Sequence, residues 1–163
     1  MSEPTRAAEP LELALPDAAA TEALGRRLAA ALAREGGLVV YLSGELGAGK
    51  STLVRGLLRG LGHRGPVRSP TYTLVEPYEA LARGPAYHFD LYRLGDPEEL
   101  EFIGIRDFLE EGPTLLLIEW PERGAGWLPP ADVAVQLAHA ATARRATLFA
   151  LSPRGAELLA RVG

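Results

Sequence analysis

The chain's single lysine, Lys50, lies in Gly44-Glu45-Leu46-Gly47-Ala48-Gly49-Lys50-Ser51, which fits the Walker A pattern G-x-x-x-x-G-K-[ST]. Every other long basic side chain is arginine. Keeping an ammonium only here points to a compact charge set against a phosphate, where a planar guanidinium fork would not fit the loop. The motif predicts a nucleoside triphosphate site. In such a site the loop's backbone N–H groups and the following helix N-terminus cradle the phosphates. Lys50 reaches the β and γ groups, and the Ser51 hydroxyl ligates Mg²⁺.

A Walker site also needs a carboxylate at the end of a neighbouring apolar strand, holding Mg²⁺ directly or through water, and Thr114-Leu115-Leu116-Leu117-Ile118-Glu119 supplies one. Asp90 is the second acidic candidate, flanked by His88, Phe89, Leu91 and Tyr92 in an otherwise apolar run. Strand alternation puts it on the face of His88 and Tyr92, and a buried carboxylate is costly unless paired or coordinated. His88 stands open between a satisfied core histidine and a site residue. Trp120 reads either as core or as an aromatic lining the site. Ser69-Pro70-Thr71, after the Walker helix, reads equally as a capped turn or as a segment sensing the γ-phosphate and its metal.

These residues need a strand, a loop and a helix in that order. Leu38 to Leu42 is a short β-rich apolar run that reads as a buried parallel strand, and Leu53, Val54, Leu57, Leu58 and Leu61 recur at helical spacing over Ser51 to Leu61. Before them, residues 1–10 read as a disordered leader. Leu11, Leu13 and Leu15 alternate as an edge strand does, Pro16-Asp17 breaks it, and a helix runs from Thr21 to Arg34 to a stop at Gly36-Gly37. Afterwards, residues 72–78 and 86–92 read as an antiparallel hairpin, and Asp96 caps a short acidic helix to about Ile103. Thr114 to Ile118, Val133 to Leu137 and Ala146 to Leu151 read as further strands, with a terminal helix from Pro153 to Val162. Residues 11–163 are expected to form one domain.

With 163 residues, the chain can bury a real core. It has no cysteine, which excludes disulfides, thiolate metal sites and thiol catalysis, and fits a reducing interior. The first residues lack an apolar h-region and no apolar run approaches the roughly 20 residues of a membrane span, so a cytoplasmic location with no membrane contact is expected. A net charge of −4 argues against autonomous nucleic-acid binding. Arg55, Arg59, Arg64 and Arg68 with His63 form a local basic exception, read as a solvated face or as a phosphate or partner contact.

The series Gly44 to Thr52, Ser69-Pro70-Thr71-Tyr72-Thr73-Leu74-Val75, Tyr87-His88-Phe89-Asp90-Leu91-Tyr92-Arg93-Leu94, Asp96-Pro97-Glu98-Glu99-Leu100 and Ile118-Glu119-Trp120-Pro121-Glu122 closely resembles the bacterial TsaE (YjeE) family. The resemblance implies an α/β, P-loop NTPase-like three-layer sandwich around a mixed parallel and antiparallel sheet. It implies an ATPase of tRNA threonylcarbamoyladenosine modification at adenosine 37, accessory to TsaB and TsaD, which would bring it to tRNA indirectly. ATP would sit on Gly44, Glu45, Leu46, Gly47, Ala48, Gly49, Lys50, Ser51, Thr52 and Thr71. Mg²⁺ would be held through Ser51 and Glu119, with Lys50, Asp90 and Glu119 catalytic. The family's early turn and late basic residue map to Asp17, in Leu15-Pro16-Asp17, and Arg144. Glu45 replaces the family's usual Asp and Ser51 its common Thr, both keeping the chemistry.

Without any asparagine, the chain cannot carry the Asn-Lys-x-Asp guanine motif of a regulatory GTPase. A small-molecule kinase normally adds an arginine-bearing lid, and no such insertion follows Glu119. The remaining rival is a nucleotide-gated subunit whose ATP occupancy, rather than turnover, sets partner affinity.

Overall fold

The structure, a computed structural model, describes residues 9–32, 37–81, 83–110 and 112–163. Most of the expected leader and the end of the first helix, with the Gly36 stop, lie outside them.

Leu38–Gly44 (β2), Ala86–Asp90 (β4) and Leu115–Glu119 (β5) form the parallel centre of the sheet, with β5 between the other two. Val133–Ala140 (β6) lies parallel to the other side of β2. Ala143–Ala150 (β7) returns antiparallel to β6, and Leu11–Leu15 (β1) closes that edge antiparallel to β7. Val75–Tyr78 (β3) closes the opposite edge beside β4. The complete order is β1-β7-β6-β2-β5-β4-β3, and Pro77 is tolerated because β3 lies at the edge.

The alternation of β2 shows why its sequence is apolar throughout. Leu38, Val40 and Leu42 pack into one core with Leu24, Leu28, Leu53, Leu57 and Leu158, whereas Val39 enters a second core with Phe89, Leu100, Ile105 and Ile118. Helices on both faces bury both sets. Ala18–Ala31 (α1), Lys50–Gly60 (α2) and Pro153–Val162 (α5) contribute to the first core. The short Glu99–Ile103 (α3) and Asp107–Glu110 (α4) contribute to the second.

Helices α1 and α2 meet backbone to backbone. A Cβ on Gly56 would lie 2.1 Å from the Glu22 carbonyl oxygen, and one on Gly25 would lie 2.3 Å from that of Leu53. This contact fixes α2, and hence the glycine loop before it, against α1.

Several boundaries differ from the sequence reading. Helix α1 begins at Ala18 instead of Thr21, because the Asp17 side chain accepts from the Ala20 N–H at 2.8 Å and caps the first turn. Strand β3 begins at Val75 instead of 72, because the Leu74 N–H bonds the Pro70 carbonyl at 2.9 Å and Leu74 takes a left-handed φ of 71°. Strand β4 stops at Asp90, whose Oδ1 accepts from the Tyr92 N–H at 3.0 Å and turns the chain. Strands β6 and β7 extend into one hairpin, turning at Ala141 with φ 56°. Helix α4 was not read from the sequence; four residues carry too little periodicity.

Candidate functional site

The carboxyl ends of β2, β4 and β5 converge, and a glycine loop rises from the first of them. In open α/β sheets this crevice is where ligands bind. Gly44 turns the chain out of β2; a Cβ there would lie 2.6 Å from the Leu137 carbonyl oxygen. Ala48 is fully buried beneath the loop, while Glu45 and Leu46 face solvent. Gly49 starts α2 at φ 105°, which favours glycine, and no side chain caps the helix. Its end is therefore left to backbone N–H groups and the partial positive charge of the helix dipole.

Lys50 is buried beneath this loop, with 7% of its surface exposed. Its Nζ donates to the Gly44 carbonyl oxygen at 2.6 Å, lies 3.8 Å from Glu119 Oε1, and sits 4.5 Å from the centroid of the Trp120 ring. Trp120 takes a left-handed backbone at φ 56°, and its ring also meets Tyr92 at 5.0 Å. The alternatives open for Trp120 resolve toward the site: it packs against the second core and covers the lysine.

Glu119 and Asp90 are both buried and paired in register across β5 and β4. Glu119 Oε2 meets His88 Nε2 at 2.6 Å. Asp90 Oδ2 accepts a long bond of 3.5 Å from Thr71 Oγ1, which in turn lies 2.6 Å from Ser69 Oγ. The loop after α2 thus touches a site carboxylate, and its hydroxyls are not spent on capping a turn alone.

A cleft of about 390 Å³ gathers Lys50, Ser51, Thr52, Thr71, Asp90 and Glu119 with Leu46, Gly47 and Gly49. Arg93 lines it too, its guanidinium 4.6 Å from the ring centroid of the exposed Tyr72. A second cleft of about 160 Å³ lies across the loop and brings in Asp17, Thr21 and Arg144. Arg144 donates to the Gly47 carbonyl oxygen at 3.2 Å, so the residue mapped there from the resemblance does stand beside the loop.

Among the described residues, no three His, Asp or Glu side chains cluster as a protein-only metal cage. A Ser51 hydroxyl with one or two carboxylates is the all-oxygen, incomplete donor set that suits Mg²⁺ when substrate phosphates and water complete its shell. Of the basic patch, Arg59 is committed internally, donating to the His63 and Gly65 carbonyl oxygens, while Arg55, Arg64 and Arg68 are exposed. His88, Tyr92, Arg93 and Thr21 were absent from the expected ligand set. For His88 the signal was available in its alternation with Asp90; for Thr21, contributed by α1, none was.

This strand, glycine loop and helix, with carboxylates at the ends of neighbouring strands, defines a P-loop-type α/β fold. The crystal structure of Bacillus subtilis YdiB superposes with a TM-score of 0.79 over 94% of each chain at 26% identity. Residues 15–147 match the family model described as threonylcarbamoyl adenosine biosynthesis protein TsaE. The tRNA threonylcarbamoyladenosine biosynthesis protein TsaE of Haemophilus influenzae is 47% identical over 93% of this chain and 96% of its own length. That of Bacillus subtilis is 35% identical over 76% of this chain and 75% of its own. The chain belongs to the TsaE family of tRNA threonylcarbamoyladenosine biosynthesis proteins. No helix among the described residues is long and apolar enough to cross a membrane.

Proposed function

We propose that this protein binds ATP with Mg²⁺ across the glycine loop, hydrolyses it slowly alone, and acts as an accessory ATPase with TsaB and TsaD in tRNA threonylcarbamoyladenosine modification. The observation that carries this reading is the convergence of Lys50, Asp90 and Glu119 in one cleft at the start of α2. Lys50 would offset phosphate charge in a water-poor loop. Ser51 and Glu119 would hold the metal, which when bound neutralises charge developing on the transferred group. Asp90, in contact with Thr71, would orient the attacking water. Asp17 and Arg144 would border the nucleoside half. One continuous sheet from β1 to β7 supports reading 11–163 as a single ATPase domain, and a tRNA role supports a cytoplasmic setting.

The Thr71–Asp90 contact also favours partner control, because a loop ordered by a partner would reach a catalytic carboxylate. Steady-state ATPase assays with and without TsaB–TsaD test this. We expect the partners to raise turnover, and Thr71→Ala to weaken that stimulation more than it weakens ATP binding. A high rate for the protein alone, unmoved by partners, rejects the accessory role. Partner binding and normal tRNA modification by a hydrolysis-dead Asp90→Asn variant would instead favour gating by ATP occupancy.

A further inference from the structure

We propose that His88 is a positioning residue for Glu119, donating Nε2–H to its carboxylate and holding it apart from Lys50. The inference rests on the metal role proposed for Glu119, and its geometric core is read from the protein alone.

Three observations carry it. His88 is 3% exposed, and its Nε2 lies 2.6 Å from Glu119 Oε2, the shortest contact made by that carboxylate. An ionised carboxylate only accepts, so the proton belongs to Nε2. His88 Nδ1 is buried without a hydrogen-bond partner among the described residues. A proton there would be an orphaned buried donor, more costly than a bare lone pair, so the Nε2–H tautomer is the one this pocket favours.

The third observation is what the pair leaves undone. Lys50 Nζ and Glu119 Oε1 are buried, oppositely charged and 3.8 Å apart, beyond the 2.7–2.9 Å typical of a charge-assisted bond. Each is held by a different neighbour at 2.6 Å: the ammonium by the Gly44 carbonyl and the carboxylate by His88. Removing His88 frees the Glu119 side chain to close on Lys50. Closure would engage the lysine meant for phosphate and turn the carboxylate from the metal. Partners behind a metal ligand commonly matter ten- to a hundredfold for affinity.

The test compares His88→Gln, His88→Asn and His88→Ala. A glutamine amide places N–H near the Nε2 position, whereas an asparagine amide can reach only the Nδ1 position. Binding of a fluorescent ATP analogue titrated with Mg²⁺ should stay within about threefold of wild type for Gln and weaken about tenfold or more for Asn and Ala. Equal losses in Gln and Asn, or none in Ala, overturn the inference. Imidazole ¹⁵N spectra of the nucleotide-free protein give a second readout, independent of variant folding and of any ligand. An Nε2–H signal for His88 in the wild-type protein is expected, and an Nδ1–H tautomer overturns the inference. Failure of the wild-type protein to bind the analogue would overturn the proposed function, while the spectra would still decide His88.

Discussion

Asp90 and Glu119 are directly paired as the last residues of adjacent parallel strands, with both carboxyl groups on the face of the sheet that carries α2. Side chains alternate along a strand, so a one-residue slip of β4 would send Asp90 and His88 together to the opposite face. Register therefore sets the site. It is fixed by Phe89, fully buried in the second core, and by Ala86, buried in the first.

Lys50→Ala should abolish nucleotide binding, with a loss of roughly a hundredfold or more, because it removes the ammonium buried beneath the loop. The fold should persist, since Lys50 contributes a hydrogen bond to the Gly44 carbonyl and a ring contact but belongs to neither core. Titration with a fluorescent ATP analogue checks the affinity and circular dichroism the fold. Unchanged affinity in a folded variant would remove the Walker assignment.

Glu119→Gln and Asp90→Asn should each reduce single-turnover hydrolysis with partners present by about tenfold or more. Affinity for Mg²⁺–ATP should fall less for Asp90→Asn, whose contacts are to Thr71 and the Tyr92 backbone instead of to Lys50. Wild-type rates in both variants would mean the catalytic centre lies elsewhere.

Gly56→Ala should cost about 3 kcal/mol, since the new methyl would meet main chain that cannot rotate away. In a chain of this size that corresponds to a fall in Tm of roughly 6–12 °C by thermal melting. A Tm within two degrees of wild type, to take a rough threshold, would mean that α1 and α2 separate easily.

Burial raises the phenol of Tyr41 above its ordinary value of 10.0, and its hydroxyl donates to the Pro129 carbonyl at 2.5 Å. A group whose folded pKa is raised favours the fold fully below its unfolded value, and that contribution is lost as pH rises through the folded one. Stability should therefore decline above about pH 10, and less steeply in Tyr41→Phe. Denaturant midpoints across pH 8 to 11, roughly bracketing that range, would show it; equal slopes for both proteins would contradict it.

The glycine loop was legible because its chemistry is local: eight consecutive residues state both the turn and the charge. Glu119 was legible because apolar residues 115–118 announce a buried strand and a carboxylate at its end needs a reason. The contact of His88 with Glu119 was not, since it depends on which two strands become neighbours, 31 residues apart in sequence. Gly25 and Gly56 escaped notice for the same cause. Each reads alone as a weak point in a helix, and only the crossing of α1 over α2 gives them a purpose.

Gly47, Gly49 and Thr52 line both clefts, so the wall between the two is little more than one pass of main chain. A ligand reaching both sides would be held like two fragments joined by a tether, the second engaging at the high local concentration set by the first. Under the proposed function, adenosine and tripolyphosphate should each bind feebly, and ATP far more tightly than either. Competition against a fluorescent analogue would measure this, and a nucleoside as tight as the triphosphate would count against it. Affinity here would then belong to the join, and a molecule severed at that point would forfeit most of it even with every contact on each side intact.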